Sequence, residues 1–141
     1  MKRLILCSLF IPFAGNAGFY NAHHSSTNLI EVRTGDWPIT LEKNTNSTTP
    51  YSLQFRNQQV MKEVVMDTLA FSNLEQLKYF EKALTTLKTA HDGDIAKFKD
   101  YSIKRAEKKY EGVWYILRLK WSSTDFRQPE ADLMINTIRN L

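Results

Sequence analysis

Between Tyr51 and Ala90 the spacing of apolar residues changes period, and that change narrows the folds open to the chain. Tyr51, Leu53 and Phe55 alternate with Ser52, Gln54 and Arg56, the two-residue period of a strand with one face inside. Glu63 to Phe71 continues as a second strand, apolar on both sides apart from Asp67 and Thr68. From Leu74 the interval becomes three and four: Leu74, Leu77, Phe80, Leu84 and Leu87 form one helical stripe. Ser72-Asn73-Leu74-Glu75 has the form of a capping box with serine at the cap, and His91-Asp92-Gly93 supplies the stop. The stretch predicts a ββα unit.

The second half follows a similar plan. Ile95 to Lys109 is a strand region with some irregularity, Glu111-Gly112 turns it, and Val113 to Trp121 is rich in β-branched and aromatic residues. Ser122 to Gln128 connects to a helix opened by Pro129, with Glu130 and Asp132 near its positive end. Ala131, Met134, Ile135, Ile138 and Leu141 supply its apolar stripe. Two short strands come earlier, Asn28 to Thr34 and Ile39 to Lys43, broken by Gly35-Asp36-Trp37-Pro38, and residues 44–50 are a loop by composition. The expected class is α+β: an antiparallel sheet built from two ββα units, preceded by two short N-terminal strands, with two helices packed on one face. The windows starting at Tyr51 and Tyr101 align without a gap, with identities at Tyr51/Tyr101, Ser52/Ser102, Leu69/Leu119 and Ser72/Ser122. Four identities are few, so a shared ββα order is the firmer expectation, and duplication of residues 51–90 as 95–141 the weaker one.

The amino terminus carries a different signal. Lys2 and Arg3 precede an apolar stretch from Leu4 to Ala14, and Gly15-Asn16-Ala17 offers small residues for cleavage. That order predicts a secretory signal peptide over residues 1–17, a flexible lead-in over 18–28 and one domain over 29–141. The apolar stretch is too short to remain as a membrane anchor. The competing expectation is an N-terminal strand or helix of a cytosolic protein. Cleavage would remove Cys7, the sole cysteine, and so exclude disulfides and thiolate metal sites from the mature chain. It would also reduce 19 basic residues to seventeen against 15 acidic ones, leaving little net charge as an argument for any partner.

Catalytic signatures are absent. No G-x-S-x-G, Gly-rich phosphate loop or H-E-x-x-H occurs. His91 in HDGD fits a helix terminus and turn better than a general base. His23-His24 offers two ligands without a nearby carboxylate, so neither a metal nor another cofactor is expected.

The informative feature is the outward side of the predicted sheet. If Tyr51, Leu53, Phe55, Leu69, Phe71, Tyr115, Leu117, Leu119 and Trp121 face the helices, then Gln54, Arg56, Val64, Met66, Lys104, Trp114, Ile116, Arg118 and Lys120 face away. Trp114, Ile116, Arg118, Lys120, Lys104 and Arg56 are the candidate binding residues, an aromatic and an apolar group flanked by cations. Three arrangements would account for them: cover by the N-terminal strands, a homodimer contact, or an acidic or aromatic ligand. The functional expectation is a small secreted or periplasmic, non-catalytic binding or protein-interaction domain. The alternative is a cytosolic domain that binds single-stranded nucleic acid on a basic, aromatic sheet face.

Overall fold

The computed structural model describes residues 4–7 and 25–141. Gly15-Asn16-Ala17 and His23-His24 lie outside the described residues. Among the described residues, nine strands and two helices follow one another as β1 (Leu4–Cys7), β2 (Ser25–Thr34), β3 (Trp37–Thr45), β4 (Tyr51–Arg56), β5 (Met66–Phe71), α1 (Leu74–Lys88), β6 (Ile95–Phe98), β7 (Tyr101–Lys108), β8 (Gly112–Leu119), β9 (Ser123–Arg127) and α2 (Gln128–Arg139). The class is α+β.

The strands divide between two sheets, where the sequence suggested one. Sheet B is an antiparallel meander in the order β2-β3-β4-β5; sheet A has the order β1-β6-β7-β8-β9. Within sheet A, β6 to β9 are antiparallel neighbours and β1 lies parallel beside β6. Each half is therefore a four-stranded meander ending in a helix, and each closes with ββα. The 50-residue offset between the two sequence windows lays β4 on β7 and β5 on β8. Only β5 runs straight into a helix; β8 is followed by β9, in a segment expected to be a connection.

Local chemistry explains most element boundaries. The β2–β3 hairpin turns on Gly35-Asp36, and Gly35 has φ +79°, which a two-residue turn of the II′ kind requires at its first position. The strand expected from Glu63 begins only at Met66. The cap of α1 is Asn73 rather than Ser72: its Oδ1 accepts from the Gln76 amide at 2.9 Å. In α2 the Pro129 ring occupies the first turn, and the Glu130 carboxylate reaches back to the Arg127 amide at 3.1 Å. Ser25 to Asn28, expected in a lead-in, belong to β2.

One continuous apolar cluster joins all layers. Leu77, Phe80, Leu84 and Leu87 of α1 and Ala131, Met134, Ile135 and Ile138 of α2 are buried, as the stripes predict, whereas Leu74 in the first turn of α1 is only partly buried and Leu141, past the end of α2, is exposed. Both helices lie against the inner face of sheet A. Each also touches one edge of sheet B, α1 at β5 and α2 at β2. Aromatic contacts tie the sheets through α1: Phe71 of β5 meets Phe80 at 5.6 Å and Tyr101 of β7 at 6.3 Å, both edge to face.

The sheets also meet at a polar corner built on Asn57, which is 5% exposed. Its Nδ2 donates to the Trp121 carbonyl, while Oδ1 accepts from the Gln59 and Ser123 amides at 3.0 and 3.2 Å. The Gln58 amide donates to the Ser123 carbonyl beside it. Replacing Asn57 by Ala removes three part-buried hydrogen bonds to backbone groups, so Asn57→Ala should cost about 1–3 kcal/mol in chemical denaturation. A loss of a few tenths would show that the corner is not structural.

Candidate functional site

Polar groups where α1 and α2 meet β8 form a hydrogen-bonded network. The Tyr115 hydroxyl donates to Gln128, whose amide donates to Asp132 at 2.8 Å, and Lys88 of α1 also reaches Asp132 at 2.9 Å. Burial opposes ionisation of Asp132, but the hydrogen bonds from Lys88 and Gln128 outweigh it and hold the carboxyl below its ordinary range. Burial pushes the Tyr115 hydroxyl up to about 12, against the opposing pull of Arg105. Tyrosine in the unfolded chain ionises near 10. The fold is therefore fully favoured below that pH and loses stability as pH rises through 12, by up to about 2–3 kcal/mol. Denaturation followed between these limits should show that slope in the wild type and lose it in Tyr115→Phe. An unchanged slope in the variant would assign the alkaline loss elsewhere.

The HDGD segment is a turn, as its composition suggests. The His91 amide donates to buried Asp94 at 3.0 Å, Gly93 has φ +84°, and Asp92 accepts from the Glu107 amide at 2.8 Å. Among the described residues no cluster of histidine, cysteine or carboxylate groups is arranged to hold a metal ion. Among them, too, no helix is long and apolar enough to cross a membrane.

The outer face of sheet A carries a different pattern. The strand register sets its side chains in cross-strand rows. Lys97, Ser102, Arg118 and Ser123 form one row; Ile95, Lys104, Ile116 and Asp125 the next; Ala106, Trp114 and Arg127 a third, with Lys108 beside Gly112 beyond it. Rows repeat every two residues, roughly 6.8 Å apart, on strands about 4.8 Å apart. Five cations share this face with one carboxylate, Asp125. Their excess equals the net charge of +4 carried by the whole chain, so the rest of the protein is balanced.

The cations form a checkerboard. Lys97 stands opposite Ser102, Arg118 between two serines, and Lys104 between two isoleucines. No two cations are direct cross-strand partners, which avoids the costliest like-charge contacts while keeping the density high. Lys97, Lys104 and Arg118 are exposed, and among the described residues none has an ion-pair partner.

Trp114 has the outward direction expected but is only 7% exposed. Side chains from the two flanking strands cover its ring: Lys108 Nζ lies 4.0 Å from the ring centre and the Arg127 guanidinium 4.8 Å. Each such contact contributes about 0.5–2 kcal/mol, so the indole fixes two cations that would otherwise move freely. Arg127 and Lys108 are not among the sequence candidates, because one lies in an expected connection and the other in a strand region of irregular pattern.

The remaining candidates fall elsewhere. Ile116, Arg118 and Lys104 belong to the face. Lys120 lies past the end of β8, with its Nζ 5.2 Å from the ring of Trp121. Trp121, expected to face the helices, is 76% exposed, because β8 ends at Leu119 and the two-residue period ends with it. Arg56 is on sheet B and stacks on Trp37 at 5.2 Å. Among the described residues, β2 and β3 do not lie over the basic face: they extend sheet B, and β2 approaches sheet A at its β9 edge and packs on α2. No family model, curated protein or solved structure matches this chain.

Proposed function

We propose that the protein is a non-catalytic binding module whose working surface is the outer face of sheet A, and that its partner is an acidic protein or polysaccharide surface read by charge. The observation that carries this reading is the unpaired cation checkerboard of Lys97, Lys104 and Arg118, extended by Lys108 and Arg127 held against Trp114. Unpaired cations concentrated on one rigid sheet favour association with anions, and long-range attraction steers such encounters. The single-stranded nucleic-acid alternative is less well supported. It needs a free aromatic face on the platform, and the Trp114 ring is buried with Lys108 and Arg127 packed against it.

Two titrations followed by amide shifts separate the readings, one with poly-L-glutamate and one with a single-stranded deoxythymidine oligomer. The proposal expects shifts concentrated on β7, β8 and β9 with both polymers, and no quenching of tryptophan fluorescence specific to the oligomer. Shifts centred on sheet B, or none at low salt, would overturn it.

We also propose export, on the strength of Lys2-Arg3, the apolar stretch from Leu4 and the small residues at Gly15 to Ala17. Cleavage there would strip β1 from the edge of sheet A. A mature mass beginning at Gly18 in protein from the native host supports it; an intact Met1 in the cytoplasm contradicts it.

A further inference from the structure

An open cleft of about 210 Å³ lies where the β2–β3 turn approaches the edge strand β9, bordering the basic face, with which it shares Asp125. Its walls include Thr34, Asp36, Trp37, Arg56, Gln58 and Asp125. The Arg56 guanidinium centre lies 5.2 Å from the centre of the Trp37 ring, and among the described residues the Arg56 side chain has no hydrogen-bond or ion-pair partner. Its Nε and the Thr34 hydroxyl are both buried without a hydrogen bond. An unsatisfied buried donor is unusual, and two unsatisfied groups on one cleft wall call for a reason.

The opposite charges are present but apart. Asp36 and Asp125 line the same cleft, yet neither pairs with Arg56. Asp125 is anchored at Oδ1 by the Gln58 amide at 3.0 Å, which leaves its second oxygen for another donor. Gln58 is itself held by the β4–β9 corner through its backbone. A guanidinium over an indole and two carboxylates thus line one cleft, which offers recognition to both an anionic and a cationic group. The volume is below that of pockets for drug-sized ligands, so the occupant is small.

We propose that this cleft binds a small carboxylate–ammonium zwitterion of the free amino-acid class. Its carboxylate lies on Arg56 and its ammonium between Asp36 and Asp125. The wall of Trp37, Pro38 and Ile39 receives its apolar part.

Three probes test the assignment by shifts of the Trp37 indole and Arg56 Nε signals: L-alanine, N-acetyl-L-alanine without the ammonium, and L-alaninamide without the carboxylate. Concentrations on the order of 10 mM are needed for so few heavy atoms. The expected result is a saturable shift with L-alanine, weaker by at least about fivefold with either blocked compound. It should be lost in Arg56→Gln and in the double variant Asp36→Asn/Asp125→Asn. Equal binding of the N-acetyl compound would make this a plain anion site, and equal binding of the amide a plain cation site; either overturns the zwitterion. So would the absence of any saturable shift in the wild type, or one that persists without Arg56. Arg56 and Trp37 are outside the basic face, so a negative result leaves the proposed function untouched.

Discussion

Leu84→Ala is expected to lower the unfolding free energy by about 2–5 kcal/mol, the cost of emptying a buried leucine site that cannot fully collapse. Leu84 has no exposed surface and belongs to the α1 stripe that meets both sheets. Leu133, on the solvent side of α2, is half exposed, and Leu133→Ala should change stability by no more than about 0.5 kcal/mol. Chemical denaturation of both variants checks the pair. Similar losses at the two positions would mean that the helix faces are misassigned.

The second large effect is on binding. Lys104→Glu with Arg118→Glu should weaken association with poly-L-glutamate by at least about tenfold at low salt, since two unpaired cations become repulsive. Lys104 faces Ile116, and Arg118 faces Ser102 and Ser123, so neither change breaks an ion pair. Stability should stay within about 0.5 kcal/mol of wild type. Lys62→Glu with Lys82→Glu makes the same change in net charge at exposed positions outside the face, and should weaken binding far less. Trp114 is unsuitable for this test. It is buried beneath its two cations, and its replacement would mix lost packing with lost binding.

How far the fold shows in the sequence depends on how local each signal is. The helices were legible, because a stripe such as Leu77, Phe80, Leu84 and Leu87 is set by residues within one element. Strand β4 was legible for the same reason. The division into two sheets was not, since it depends on which distant strands pair. Strand β9 was hidden because Ser123-Thr124-Asp125-Phe126-Arg127 has a single apolar residue; it is a strand through its ladder with β8 and the corner at Asn57. Missing β9 also put the two similar windows on strands with different places in the two halves.

The site was half legible for a related reason. Period two placed Trp114, Ile116, Arg118 and Lys104 on one side correctly, since direction along a strand is a local property. Exposure is not local. Trp114 is covered because the β8–β9 register brings Arg127 beside it, while Lys108 comes across from β7. Extending the same period past Leu119 misplaced Lys120 and Trp121, which lie in the turn that follows. Arg56 was misgrouped because it belongs to the other sheet.

The central claim, that the outer face of sheet A works as a cation surface, is tested most directly by the salt dependence of the poly-L-glutamate affinity. For the wild type, the logarithm of the association constant should fall steeply and linearly with the logarithm of salt concentration, as counterions are released from the polyanion. In Lys104→Glu with Arg118→Glu the slope should become markedly shallower, whereas Lys62→Glu with Lys82→Glu should keep nearly the wild-type slope. Equal slopes in all three proteins would contradict the account and move the binding surface away from sheet A.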